Sequence, residues 1–428
     1  MPEAGREGHQ PLYAGRTYQA LARRGRCFCM DARSPGGDPD AAPGRWVAVG
    51  RSSEADARRA GCEAALGALS QGGAKLLIVF CSDRYDIPAL LAGIRERAGG
   101  VPLIGCSTAG EIATGGPADA SVVVTAFGGE GFSVSTAAAP RASGRLREAG
   151  AEAASCIEAV GDRPHRVLMM LTDGLAGDQQ EIVRGAYGVV GAAVPLVGGC
   201  AGDDLKMKAT FQLHGDEVLS NAVVVAAIAS DSPLGIGVRH GWRRVGQPML
   251  VTKSASNRVH TIDDQPALDV YLERLDAPKE VRSDPVAFTH FALTHPLGLS
   301  GGRGEEHVRF IGEANFEDRS LGCIAEVPQG GLAWFMQGDD RSILAATDAA
   351  CDDARASLGG RRPLGVIAFD CIARRGVLGD EGIRTEIDRI AANADGAPVA
   401  GFYTYGEIAR TRGVSGFHNQ TLVVLAVA

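Results

Sequence analysis

One pattern occurs three times in this chain: a proline, a short apolar run, a glycine, then small polar residues that end on an acid. It reads VPLIGCSTAGEI over 101–112, VPLVGGCAGDD over 194–204, one residue tighter, and APVAGFYTYGEI over 397–408. Each copy sits in the same context. An apolar segment comes first (LLIVFCSD, 76–83; RVLMMLTDG, 166–174; GVIAFDCIARR, 365–375), then a helical stretch, then the turn, then a second apolar segment (SVVVTAF, 121–127; NAVVVAAI, 221–228; QTLVVLAVA, 420–428). The helical stretches carry Ile87, Leu90, Leu91 and Ile94, then Ile182, Val183, Ala186 and Val190, then Ile383, Ile387 and Ile390 on one face. Each unit therefore reads β-α-β-β. A helix between the first two strands makes them parallel, and the proline before the second strand ends the helix and presets an extended chain. Uninterrupted apolar strands require cover on both faces. The predicted class is α/β, with two domains built from repeated β-α-β-β units and mixed sheets covered by helices.

At 428 residues the chain exceeds one ordinary core, which points to two domains. Residues 1–44 hold 7 Gly and 5 Pro without an apolar period and are expected to be a disordered extension. Order is expected from the strand RWVAVG at 45–50, followed by a helix with Ser53 and Asp56 at its cap. Between the second and third units, GWRRVGQPMLVTKSASNRVHTI (241–262) reads as a hairpin, and Pro266 opens a short helix. FTHFALTHPLGL (288–299), HVRFIGEA, LGCIAEV and GLAWFMQ then read as strands, and a helix over 343–358 leads into the third unit. The expected division is an N-terminal domain over 45–252 and a C-terminal domain over 253–428.

The balance of 43 basic against 51 acidic residues, a net charge of −8, disfavours nucleic acid and anionic membrane as partners. No apolar run approaches the length of a membrane span, and no charged-then-apolar start resembles a signal peptide. Ten cysteines lie without CxxC or Cys/His clustering, several of them (Cys81, Cys106, Cys200, Cys371) at the ends of apolar runs. That is the usage expected of a reduced, cytoplasmic protein without a zinc site.

The recurrent turn supplies the candidate site. Glycines let backbone approach a guest closely, and small polar residues at the carboxyl ends of parallel strands sit where open α/β sheets place ligands. The candidate ligand contacts are Cys106, Ser107, Thr108, Glu111, Asp173, Asp203, Asp204, Tyr405 and Glu407. Backbone N–H groups and helix N-termini at Asp86 and Asp178 suit a carboxylate or phosphate, while the acids suit an ammonium or hydroxyl group. A small zwitterion such as an amino acid satisfies both. The structural alternative is that each acid accepts backbone N–H bonds within a strand-end turn and that Asp173 caps one. A hydrolase would use Ser107 or Cys106, since Gly105 to Ala109 falls one residue short of a G-x-S-x-G elbow. The other copies put Ala201 or Tyr403 in place of that serine, and no His–Asp pair offers itself, so a binding protein rather than an enzyme is expected.

GCSTAGEI, the TDG at 172–174, GGCAGDD, GW…P, PALDVYLERL, HPLG, FDCIARR and GFYTYGEI with FHNQTLVVL stand in one order from about Arg45 to the end. In that order they resemble the FIST proteins, a bacterial sensory family with a FIST N and a FIST C domain. The resemblance implies a ligand-binding sensor partnered with a histidine kinase, a cyclic-dinucleotide signalling protein or a chemoreceptor. With no kinase, cyclase or receptor segment in the chain, a stand-alone sensor reporting to a separate protein is expected, its homo-oligomeric state open. Some members are haem proteins that sense nitric oxide, which brings haem b into consideration as a cofactor. It would be non-covalent, because no C-x-x-C-H motif is present. The candidate axial ligands are His295 in THFALTHPLG and His240 in RHGW. A ligand-free adaptor is the remaining alternative.

Overall fold

The computed structural model describes residues 44–301, 306–411 and 416–428. The extension expected over 1–44 lies outside them except for Gly44. The fold is mixed α/β, and its main body is one unit written three times. The first copy comprises β1 (Trp46–Ser52), α1 (Ala57–Ala68), β2 (Ala74–Ser82), α2 (Ile87–Ala98), β3 (Leu103–Thr108), β4 (Glu111–Ala113), β5 (Gly116–Ala118) and β6 (Val122–Gly128). The second comprises β7 (Phe132–Pro140), α3 (Leu146–Ala154), β8 (His165–Thr172), α4 (Gln179–Val190), β9 (Leu196–Cys200), β10 (Gln212–His214), β11 (Glu217–Leu219) and β12 (Ala222–Ser230).

The third copy starts with β13 (Leu234–Arg239) and is then interrupted. The insert contains β14 (Arg243–Ala255), β15 (Arg258–Ile262), β16 (Gln265–Pro266), α5 (Ala267–Arg274), α6 (Pro285–Leu293), β17 (Leu297–Ser300), β18 (Glu306–Arg309), β19 (Ile311–Asn315), β20 (Ser320–Cys323) and β21 (Leu332–Gln337). The copy resumes with α7 (Asp340–Ala356), β22 (Gly365–Cys371), α8 (Ile372–Asn393), β23 (Val399–Thr404), β24 (Glu407–Arg410), β25 (Phe417–His418) and β26 (Leu422–Val427). The division expected at 252/253 falls inside β14. The segment 288–293, expected as strand, is the end of α6, because the Asp284 carboxylate caps the first turn and Pro285 presets its backbone angle.

The helix-linked pairs β2/β3, β8/β9 and β22/β23 are parallel, as a crossover demands. The short hairpin after each recurrent turn does not return to its own sheet. Hairpin β4–β5 pairs with β23, β10–β11 with β3, and β24–β25 with β9. The first copy thus completes the third sheet, the second the first, and the third the second. Three six-stranded sheets are closed into a ring by this exchange. Where the sequence showed only a glycine-rich loop after Glu111, the chain forms β4 and β5 against a distant partner.

The uninterrupted apolar strands follow from this arrangement. One face of each sheet meets a common centre containing Leu76, Ile78 and Phe80, Val167, Met169 and Leu171, and Ile367 and Phe369. There Phe80, Phe369 and Phe402 pack with ring centroids 4.6–6.2 Å apart. The opposite face carries a helix pair, as where Leu77, Val79 and Cys81 meet Ala64, Leu90 and Ile94. Each fully buried aliphatic or phenyl group contributes about 1.5–3 kcal/mol. The helix pair α1/α2 approaches closely through glycine: a Cβ on Gly61 or Gly93 would lie 2.2 Å or 2.0 Å from a carbonyl of the facing helix. The insert builds an eight-stranded sheet with its own core around Tyr271, Phe288 and Phe335. No helix among the described residues is long and apolar enough to cross a membrane.

Candidate functional site

The three recurrent turns converge and are hydrogen-bonded to one another through backbone. Ala109 N donates to Tyr403 O (3.1 Å), Tyr405 N to Cys200 O (3.2 Å), and Gly202 N to Ser107 O (3.0 Å). These contacts join the first turn to the third, the third to the second, and the second back to the first.

Two of the turns are near-identical latches. Thr108 Oγ1 donates to Glu111 Oε1 (2.5 Å) and accepts from Gly110 N (3.2 Å), while Glu111 Oε2 accepts from Ser121 N (3.1 Å) and Ser121 Oγ (2.6 Å). The third copy repeats this: Thr404 Oγ1 donates to Glu407 Oε1 (2.5 Å), Gly406 N to Thr404 Oγ1 (3.2 Å), and Thr421 N to Glu407 Oε2 (3.1 Å). Glycine is required at Gly110, where φ is +117° and a Cβ would lie 2.2 Å from Arg375 Nη1. Both carboxyls are buried, and burial pushes each up to about 8. Each latch ties its hairpin to the start of the following strand.

The second turn is built differently. The strand position of Glu111 opposite Phe402, and of Glu407 opposite Gly199, is held by Gln212 opposite Cys106. Gln212 Oε1 accepts from Ala222 N (3.2 Å), so an amide does the work of the acid. The two-residue turn becomes the loop 201–211. Its organiser is Asp203, whose carboxylate accepts from the N–H groups of Met207 (3.0 Å), Lys208 (2.7 Å) and Ala209 (3.0 Å). The hydroxyl of Tyr405 donates to Asp203 Oδ1 (2.5 Å) and accepts from Leu205 N (2.7 Å). Asp204, Leu205 and Met207 adopt positive φ of 53°, 61° and 52°, a conformation that survives in non-glycine residues only where the surroundings impose it.

Beside this ring lies a cleft of about 650 Å³, walled by Ala109, Gly174, Asp204, Leu205, Met207 and Tyr405 from the three turns and strand ends. The start of α8 adds Ile372, Ala373 and Arg375, and the insert adds Leu293, Phe310 and Ile324. Arg375 is aimed by its neighbour: Arg374, fully buried, pairs with Asp370 (2.7 Å) and Glu386 and fixes the first turn of α8. Met207 and Ile324 are 54% and 47% exposed, unusual for large apolar side chains facing a concave wall.

Of the nine candidate contacts, the structure puts Asp204 and Tyr405 on the cleft wall. The other seven are turned inward. Cys106 is fully buried and its thiol is held well above its usual range by burial. Ser107 Oγ donates to Gly202 O (2.8 Å) and accepts from Phe211 N (2.9 Å), so no hydroxyl is presented to a substrate. Thr108, Glu111 and Glu407 belong to the latches, Asp203 to the loop. Asp173 caps its turn, accepting from Leu175 N (2.8 Å) and Asn221 N (2.7 Å). Residues that pattern-reading missed are Arg84, Arg375, Met207 and Asn419. Two of them had a signal, Arg375 as the last residue of FDCIARR at 369–375 and Asn419 in FHNQT at 417–421.

The histidines do not fit an axial ligand of a haem in this cleft. No histidine lines it among the described residues. His295 stacks on Phe291 with centroids 4.0 Å apart and its Nδ1 lies 2.8 Å from Phe291 O. His240 accepts from Trp242 N through Nδ1 (3.0 Å) and turns Nε2 toward Glu306 (3.6 Å).

A family model described as FIST N domain matches residues 75–265, and one described as FIST C domain matches residues 267–410. The two meet between β16 and α5, so both contribute strands to the inserted sheet. An uncharacterized protein, MJ1623, of Methanocaldococcus jannaschii is 25% identical over 154 residues, which is 34% of this chain and 30% of that protein's length.

Proposed function

Because this chain belongs to the FIST family, we propose that it is a sensor that takes a small organic ligand in the cleft beside its turn ring and reports binding to a separate signalling protein. FIST domains are sensory domains of signal transduction. One observation carries the proposal: a single 650 Å³ cleft draws its wall from all three copies and from the insert. An occupant touching both bodies stabilises the arrangement in which they meet, and that differential affinity is what shifts a conformational population. The mixed wall, mostly apolar with Arg84, Asp119, Asp204, Arg375 and Asp380 among its residues, suits an amphipathic metabolite of about amino-acid size. Nitric oxide sensing through haem finds no support in the placement of His295 or His240. A histidine kinase or a cyclic-dinucleotide signalling protein is the class of partner proposed. The hydrolase alternative is disfavoured by the engaged hydroxyl of Ser107 and the buried, protonated thiol of Cys106.

The test is thermal stabilisation of the full chain by a panel of small metabolites, repeated on Ile324→Arg. That substitution fills the cleft from a half-exposed position and leaves the cores intact. A ligand at a hundred times its Kd should stabilise the wild type by about 2.7 kcal/mol, and Ile324→Arg should lose the effect. Protection of neither protein, or equal protection of both, would remove the cleft from consideration.

A further inference from the structure

Two buried carboxyls share one buried arginine. Arg374 Nε donates to Asp370 Oδ1 (2.7 Å), Nη2 to Glu386 Oε1 and Thr347 Oγ1 (3.1 Å), and Nη1 to His240 O (3.0 Å). Asp370, Arg374, Glu386 and Thr347 are all fully buried. The second oxygens, Asp370 Oδ2 and Glu386 Oε2, receive no donor from any other described group. The two carboxyls lie within hydrogen-bonding reach of each other. Ionised carboxylates only accept, so that contact requires a proton on one of them.

The charge balance gives the same count. Cys371 on β22, Tyr403 on β23, Glu407 on β24 and Cys351 on α7 also face the pair, and burial raises each of them, which keeps them neutral. Arg375 is turned to Asp119 (2.8 Å). Two ionised acids on Arg374 would bury a net negative charge, which a protein interior resists. Burial, with Glu386 beside it, holds the Asp370 carboxyl well above its ordinary range. The other copies show that the fold itself does not need an acid there. Counting two residues on from Val79, Met170 and Ala368, which stand opposite the turn glycines Gly105, Gly198 and Gly401, the position holds Cys81, Thr172 and Asp370.

Helix α8 gives the cluster its leverage. Gly379, at φ 62° and ψ −175°, breaks the helix from within. Arg374 stands before the break and Glu386 after it, so their bond spans it. Ile372, Ala373, Arg375 and Gly376 of the leading stretch wall the cleft. We infer that Asp370, Arg374 and Glu386 form a lock that holds one proton and fixes the leading stretch of α8, residues 372–378, as a cleft wall hinged at Gly379. The lock stands whatever the cleft binds.

Urea unfolding of the full chain between about pH 5 and 8 tests the proton. A raised folded-state pKa gives stability that is complete below the ordinary carboxyl range and is lost as pH rises toward the folded value. Each proton held only by the folded state lowers the folding constant about tenfold per pH unit. Asp370→Asn and Glu386→Gln each leave one carboxylate against Arg374 and need no proton. The fall per pH unit should therefore be about tenfold smaller in each than in the wild type. A wild-type slope in either variant overturns the shared proton.

Hydrogen exchange tests the hinge. Glu386→Ala and Asp370→Ala each leave a balanced pair on Arg374, but only the first cuts the tie across Gly379. Exchange over 372–378 should quicken at least about tenfold in Glu386→Ala, the worth of a charge-assisted bond, and stay near wild type in Asp370→Ala. Glu386→Gln, which keeps the shape and weakens the tie, should quicken the same residues to a smaller degree. Equal rates in the two alanine variants, or quickening spread evenly along α8, overturns the hinge.

Discussion

The first and third turns differ from the second in a way that separates architecture from function. At Thr108–Glu111 and Thr404–Glu407 a threonine, a glycine and a buried glutamate close a turn of minimal length. At the second turn the glutamate's place is taken by Gln212, and the chain between is let out into an eleven-residue loop over 201–211 whose Asp204, Leu205 and Met207 wall the cleft. The first and third copies hold the ring with glutamate latches, and the second is the irregular one. In that loop Asp204, Leu205 and Met207 take positive φ, and the Met207 side chain is half-exposed.

If that contrast is right, the largest effects on stability belong to the latches. Glu407→Ala and Glu111→Ala each leave buried donors unpaired and a void, and each should lower stability by about 2–4 kcal/mol, read from urea midpoints. Losses near zero would mean that the glutamates are incidental to the turns.

Smaller in size but distinctive in form is the response to pH. Burial raises both latch carboxyls to about 8, against the ordinary value of 4.5. The folded state therefore holds protons that the unfolded chain has released across that window. Stability from this source is complete below about 4.5 and is lost as pH rises through about 8. The stacked pair His307 and His418, lowered by burial to about 4 and about 3, acts in the opposite sense. Its stability is present above 6.5 and is lost as pH falls toward those values. Urea midpoints across pH should fall on both sides of a mildly acidic maximum. The double variant Glu111→Gln, Glu407→Gln, which copies the Gln212 arrangement, should flatten the alkaline side; a slope left unchanged would contradict the assignment.

Tyr405→Phe removes the hydroxyl that gathers Asp203 and Leu205. It should cost about 1–2 kcal/mol and speed amide exchange over 203–209 while leaving β4 and β24 protected. Exchange rising equally in all three turns would erase the distinction between latch and loop. The smallest effect should come from Asp204→Asn, within about 0.5 kcal/mol of wild type or slightly stabilising, because burial already disfavours this charge and raises its pKa. A large loss there would make Asp204 a structural residue.

Much of the fold was legible because it is local. Apolar runs bounded by Pro and Gly gave the strands, and the faces of Ile87, Ile182 and Ile383 gave the helices. Asp86 and Asp178 were found capping them, donated to by Ala89 N and Gln180 N. The site was legible only as a neighbourhood. Glu111 and Glu407 looked like ligand contacts because their partners, the N–H groups at 121 and 421, lie 10 and 14 residues away. Three-residue strands such as β4 and β10 carry too little alternation to announce themselves, and their partners belong to other copies.

The sequence by itself determined that three similar α/β units exist and that each ends a strand in a glycine-bearing polar turn, because periodicity and backbone restriction act within a few residues. Only the tertiary structure decided that the units exchange hairpins, and that two turns close as latches while the third opens. It alone brought Asn419, Arg375 and the insert's Ile324 to one cleft. Those outcomes depend on which buried donors and acceptors find each other across hundreds of residues, and that matching exists only once the chain has packed.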